Sequence, residues 1–134
     1  MTSPLEAHHL TITINRPFAE VNDFLAVPAN FEHWAAGLGN GFYQVNGNEW
    51  VFGNPDAPTK IRFTPKNEFG VADHTVYPQP GVEVYVPMRV VANQSGSEVI
   101  FTLFRPPEMT DQQLADDSAA VRRDLEKLKA ILEK

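Results

Sequence analysis

Alternation opens the chain. In "HLTITIN", residues 9 to 15, Leu10, Ile12 and Ile14 alternate with polar residues, the period-two pattern of a half-buried strand. The pattern then changes. In "RPFAEVNDFLA", Phe18, Val21, Phe24 and Leu25 recur at helical spacing, with Asn15 as the expected cap and Pro17 in the first turn. Pro28 interrupts, and "PANFEHWAAGL" predicts a second short helix with Phe31, Trp34, Ala35 and Leu38 on one side. "GLGNG", residues 37 to 41, follows a helix and opens a strand. A phosphate-cradling loop has the reverse context, so this stretch reads as an exit turn.

The middle of the chain is strand and turn. "FYQVNGNEWVF" carries Asn46-Gly47, a strong two-residue hairpin signal, between apolar runs. "TKIRFT" alternates Ile61 and Phe63 with Lys60 and Arg62. "PQPG" turns the chain into "VEVYVPMRVVA", where Val82, Val84, Val86, Met88 and Val90 share one face. "EVIFTLF" is apolar on both faces, so both are covered or one meets a partner, a homodimer being one option. The last segment, from Thr110, is a long helix. Thr110 can cap it, Asp111 suits its positive end, and Leu114, Ser118, Val121, Leu125, Leu128 and Leu132 form one stripe. The expected order is therefore strand, two short helices, about six antiparallel strands and one long helix.

Composition narrows the partners. The 134 residues are 43% hydrophobic, enough for one domain and one core. Seventeen acidic residues against eleven Lys and Arg give a net charge of −6, which leaves no footprint for nucleic acid. No apolar run approaches the roughly 20 residues of a membrane span, so stable membrane insertion is not expected. There is no cysteine, hence no disulfide or thiolate metal site, and the opening residues lack the apolar region of a signal peptide. These features lead to the expectation of a soluble cytoplasmic protein.

The one suggestive pair of residues is in "FGVADHTVY", residues 69 to 77, where Asp73 and His74 are adjacent. Successive side chains on a strand point to opposite faces, so a regular strand cannot let them orient each other. Burying a neutral imidazole costs far less than burying a lone carboxylate, which favours His74 inward with Ala72 and Val76. Asp73 then faces outward, toward solvent or an arginine, with Arg62 and Arg89 the candidates. Bulk argues the other way, because Phe69, Val71 and Tyr77 share Asp73's face. An inward His74 is more often a satisfied core histidine than an acid–base group. His8, His9 and His33 have no metal-ligand spacing, so no metal site is expected. Asp116-Asp117 reads as a solvated helix face. Trp50 reads as packing. Trp34 reads as core, close to a cavity mouth.

The order of elements resembles the helix-grip fold of the START-related SRPBCC superfamily, which includes polyketide cyclases and dehydrases, lipid-transfer domains and plant allergens. "ITINRPFAEVNDFLAVPANFEHWAAG" looks like its opening, with Phe31 to Trp34 as the Phe-x-x-Trp element. "GVADHTV", "VPMRVVAN" and "SEVIFTLFRPPEMTDQQLADDSAAVRRDLEKLK" look like the closing half of its polyketide-cyclase-like bacterial members. The resemblance covers nearly all of residues 1–134 as a single START-like domain. It implies an α+β fold: a curved antiparallel sheet of six to seven strands around a long C-terminal helix, with a cavity between them. No shared catalytic motif transfers with it.

The leading expectation is a protein that binds a small hydrophobic or aromatic, lipid- or polyketide-like molecule in that cavity, without a cofactor. The expected lining is Trp34, His74, Met88, Phe101 and Val121, with the mouth near the second short helix. One alternative is a cyclase- or dehydratase-like enzyme with His74 as acid–base. Another is a protein-interaction module such as a chaperone regulator.

Overall fold

The structure, a computed structural model, describes residues 3–38 and 41–134. Residues 39 and 40, inside the expected "GLGNG" exit turn, lie outside the described residues. The first strand is β1 (Glu6–Ile14), followed by helix α1 (Phe18–Leu25). Strands β2 (Tyr43–Asn46), β3 (Glu49–Phe52), β4 (Thr59–Phe63), β5 (His74–Gln79), β6 (Val82–Val86), β7 (Met88–Asn93) and β8 (Gly96–Arg105) come next. Helix α2 (Asp111–Leu132) closes the chain. The architecture is α+β, antiparallel strands against a long C-terminal helix, as expected.

Two local details differ from the sequence reading. Helix α1 has Pro17 at its cap position and no side-chain cap. The expected cap, Asn15, instead gives its backbone N–H to the Glu133 carboxylate at 2.7 Å, pinning the end of α2 to the end of β1. The expected second helix is two short 3-10 turns, Pro28–His33 and Ala36–Leu38. A six-residue stretch opened by a proline is too short to propagate an α-helix.

The strands form a five-stranded ladder, β2-β3-β4-β5-β6, and a three-stranded one, β1-β8-β7. The two meet because β6 and β7 are halves of one run, residues 82 to 93, interrupted at Pro87. β5 pairs with β6 through His74↔Val86, and the same register continues to the bridge Val71↔Arg89. Backbone bonds Ala72 N–H to Met88 O and Val90 N–H to Gly70 O, both 2.8 Å, close the join. Gly70 is required there. Its φ is +79°, and an added Cβ would lie 2.2 Å from the Val90 carbonyl oxygen.

α2 lies along the free edge of β1. Arg122 and Lys129 donate to the outward carbonyls of Thr11 and Thr13 at 2.7 and 2.6 Å. The Thr110 hydroxyl caps the helix as expected and Gln113 completes a capping box. The core sits between the concave sheet, α1, the 3-10 turns and the C-terminal half of α2. Ile14, Val21, Phe31, Trp34, Met88, Val99, Leu125 and Leu128 are among its fully buried members.

Candidate functional site

Asp73 and His74 face opposite ways, and each repairs a gap in the backbone. A regular antiparallel pair at Ala72 and Met88 would exchange two bonds. Only one is made. The Met88 N–H goes to the Asp73 carboxylate at 2.8 Å. The Ala72 carbonyl that loses this donor accepts from His74 Nδ1 at 3.1 Å, which sets the imidazole as the Nδ1–H tautomer.

The Asp73 carboxylate also accepts from Arg89 Nε and Nη2 and from the Tyr85 hydroxyl, all at 2.8 Å. The sequence reading placed Asp73 outward beside an arginine, and Arg89 is that arginine. The expectation of a solvent-exposed pair is corrected: Asp73 is only 9% exposed, because Tyr85 and the backbone of Met88 enclose it. Arg62 lies over the Tyr77 ring instead. Burial would raise the Asp73 pKa, but the bonds from Arg89, Met88 and Tyr85 outweigh it and hold the carboxyl below its usual range. The Tyr85 hydroxyl is pushed up, chiefly by its bond to Asp73.

His74 is buried against Phe31, Phe63 and Phe101, with ring centroids 5.5 to 6.2 Å away. Burial lowers its pKa, although the Ala72 bond and the Asp73 charge act the other way. It is a neutral core imidazole.

A hollow between helix and sheet arises beside these residues, at Pro87. Thr102 N–H donates to Pro87 O at 2.9 Å, but proline has no N–H to return to the Thr102 carbonyl. Beyond that point the ladder stops. β6 pairs only with β5, and the end of β8 pairs only with β1. The strands part, and a cavity of about 330 Å³ opens between them beneath the N-terminal half of α2. Its walls are Val84, Val86, Phe101, Leu103, Met109 and Val121, with Tyr85, Phe104 and Asp117 at the rim. The Tyr85 and Phe104 rings stack across the split at 6.4 Å.

Of the expected lining residues, Phe101 and Val121 border this cavity. Trp34 and Met88 lie outside its lining, in the packed core, and His74 is also outside it but borders, with Asp73, Thr75 and Tyr85, a separate hollow of about 330 Å³. The mouth is between β6 and β8, not beside the 3-10 turns. Val84, Val86 and Leu103 were not in the expected lining, and Pro87 inside a strand run was the signal for them. A larger hollow of about 610 Å³ lies at the ends of β4 and β5, bordered by Lys60, Tyr77 and Gln79 and by the turns around Ala57 and Pro80, with no residue of α2 in its lining. Among the described residues, no group of His, Cys, Asp or Glu is placed to hold a metal ion. No described helix is long and apolar enough to cross a membrane.

No family model matches the chain, and no curated protein matches its sequence. Solved structures do match. The Aha1 dimer from Colwellia psychrerythraea superposes with a TM-score of 0.73 at 15% identity, over 96% of this chain and 97% of that one. Ara h 8.0201 gives 0.66 at 13% identity, over 96% and 97%. The chain shares with these structures a helix-grip fold, antiparallel strands around a long C-terminal helix. DynU16, from the dynemicin biosynthetic locus, gives 0.73 at 13% identity over 98% of this chain, which spans 48% of DynU16. In helix-grip terms, α2 is the gripped helix, and the cleft at Pro87 lies between helix and sheet where the grip is open.

Proposed function

We propose that this protein binds a small, mainly apolar molecule in the cleft between β6, β8 and α2, and acts as its carrier or sensor. The observation that supports this is the cavity of about 330 Å³ with walls of valine, leucine, methionine and phenylalanine. Its volume falls within the usual range for small-molecule sites, about 300–1,000 Å³. The helix-grip fold, shared with Ara h 8.0201 and with DynU16 of a biosynthetic locus, supports a ligand-binding role but carries no ligand identity.

The enzyme reading draws less support. Acid–base work on a bound molecule needs convergent polar groups beside it. His74 has its Nδ1 committed to Ala72 and lies outside the cleft lining.

The test is titration with phenylnaphthylamine, a neutral probe whose emission rises in apolar surroundings. The wild type should enhance and blue-shift it. Val121→Trp should fill the cleft and weaken binding at least about tenfold with the circular dichroism spectrum unchanged; Leu103→Trp is a second filler should the first misfold. Undiminished binding in both folded variants would refute the cleft as the site.

A further inference from the structure

The cleft has a charge as well as a shape. Its rim runs into a second hollow lined by Pro106, Glu108, Met109, Gln113, Asp116 and Asp117. The charged residues bordering the two hollows, Glu108, Asp116 and Asp117, are all acidic. Asp116 accepts from Gln112, whereas Glu108 and Asp117 have no hydrogen-bond or ion-pair partner among the described residues. The nearest groups that could hold an anion are already engaged. Arg105 is bound to Asp111 at 2.7 Å and to the Met109 carbonyl at 3.0 and 3.2 Å. The positive end of α2 is occupied by its capping box and by Asp111. Inside the cleft, the Thr102 carbonyl faces a proline nitrogen and lacks the donor a strand would supply.

We infer that the cleft selects a cationic amphiphile: an apolar or aromatic body with a protonated amine, seated with its ammonium at the Glu108–Asp117 rim. This rests on the cleft being a ligand site. The body fills the valine- and phenylalanine-walled interior. The ammonium stays near the surface, where the carboxylates attract it without its being desolvated. The Thr102 carbonyl offers an acceptor to a donor on the ligand. A carboxylate or phosphate head would meet repulsion at the same rim.

The experiment is calorimetric titration with three molecules of matched shape: phenylbutylamine, phenylbutanol and phenylbutyrate. The amine should bind about tenfold more tightly than the alcohol, the size expected of two exposed charges acting through a near-water dielectric. The acid should bind most weakly, and added salt should shrink the amine's advantage. In Asp117→Asn/Glu108→Gln the amine-to-alcohol affinity ratio should collapse toward one. In Asp23→Asn/Glu126→Gln, which removes the same charge from exposed positions not lining the cleft, the ratio should persist. Equal binding of amine and alcohol by the wild type would overturn the charge inference and leave the cleft reading standing. So would an equal fall of the ratio in both double variants. Failure of all three molecules to bind would overturn both.

Discussion

The two ends of α2 do different things with one stripe. Toward the C-terminus, Leu125 and Leu128 are 0% exposed and Leu132 is 8% exposed, packed in the core of β1, α1 and the 3-10 turns. Toward the N-terminus, Leu114, Ser118 and Val121 are only half buried, although their spacing is the same. The difference lies in the sheet beneath. Under the C-terminal half the sheet is continuous, sealed by Gly70 and by the Asp73 and His74 bonds. Under the N-terminal half it has parted at Pro87. A helical period shows which face is apolar, whereas the opposing surface decides whether that face is filled.

The closed end should respond most to truncation. Leu125→Ala should cost about 2–5 kcal/mol through the cavity it leaves. Val121→Ala, at the open end, should cost under about 1 kcal/mol, since its methyls already border empty space. Urea denaturation measures both, and similar costs would erase the distinction.

Asp73→Asn tests the seal. An exposed pair would be worth only about 0–1 kcal/mol. With the carboxylate buried and accepting four bonds, the cost should be about 1–3 kcal/mol, moderated because Arg89 remains half exposed. The effect should also depend on pH. The folded pKa of Asp73 is depressed, so its contribution is complete above the unfolded value, about 3.9, and is lost as pH falls through the folded value. Wild type and variant should converge at the acid end of a series of denaturation curves.

His74 should give a smaller effect in a different window. Its folded pKa is also depressed, but it is a base, so the fold holds it neutral while the unfolded chain takes up a proton first. Stability from this source is complete above about pH 6.5 and declines as pH falls below that. His74→Phe keeps an inward ring and should flatten the stability profile between roughly pH 6.5 and 5. A slope unchanged there would mean that His74 is not held neutral by burial.

The legible parts of the molecule were those set by local period. Alternation in "HLTITIN" located β1, the four-three spacing from Leu114 located α2, and Thr110 located its cap. Strand geometry also separated Asp73 from His74 without further information. The cleft was less legible because it follows from a missing N–H at one position in an apparently uniform strand. "VEVYVPMRVVA" presents one apolar face from Val82 to Val90, and Pro87 does not change that face. It changes the edge, and so divides β6 from β7 and frees β6 from β8. Trp34 and Met88 were assigned to the cavity on the same apolar logic that places Phe101 there, since periodicity cannot tell a packed portion of a face from an open one. Nor could local sequence show the Asp73 carboxylate reaching Met88 N–H, a bond across 15 residues.

The most direct test of the divided helix is methyl NMR during titration with phenylbutanol. The account predicts shift changes at Val84, Val86, Leu103 and Val121, with Leu125, Leu128 and Leu132 unmoved. Shifts concentrated instead at Leu125, Leu128 and Met88, or spread evenly along α2, would contradict it.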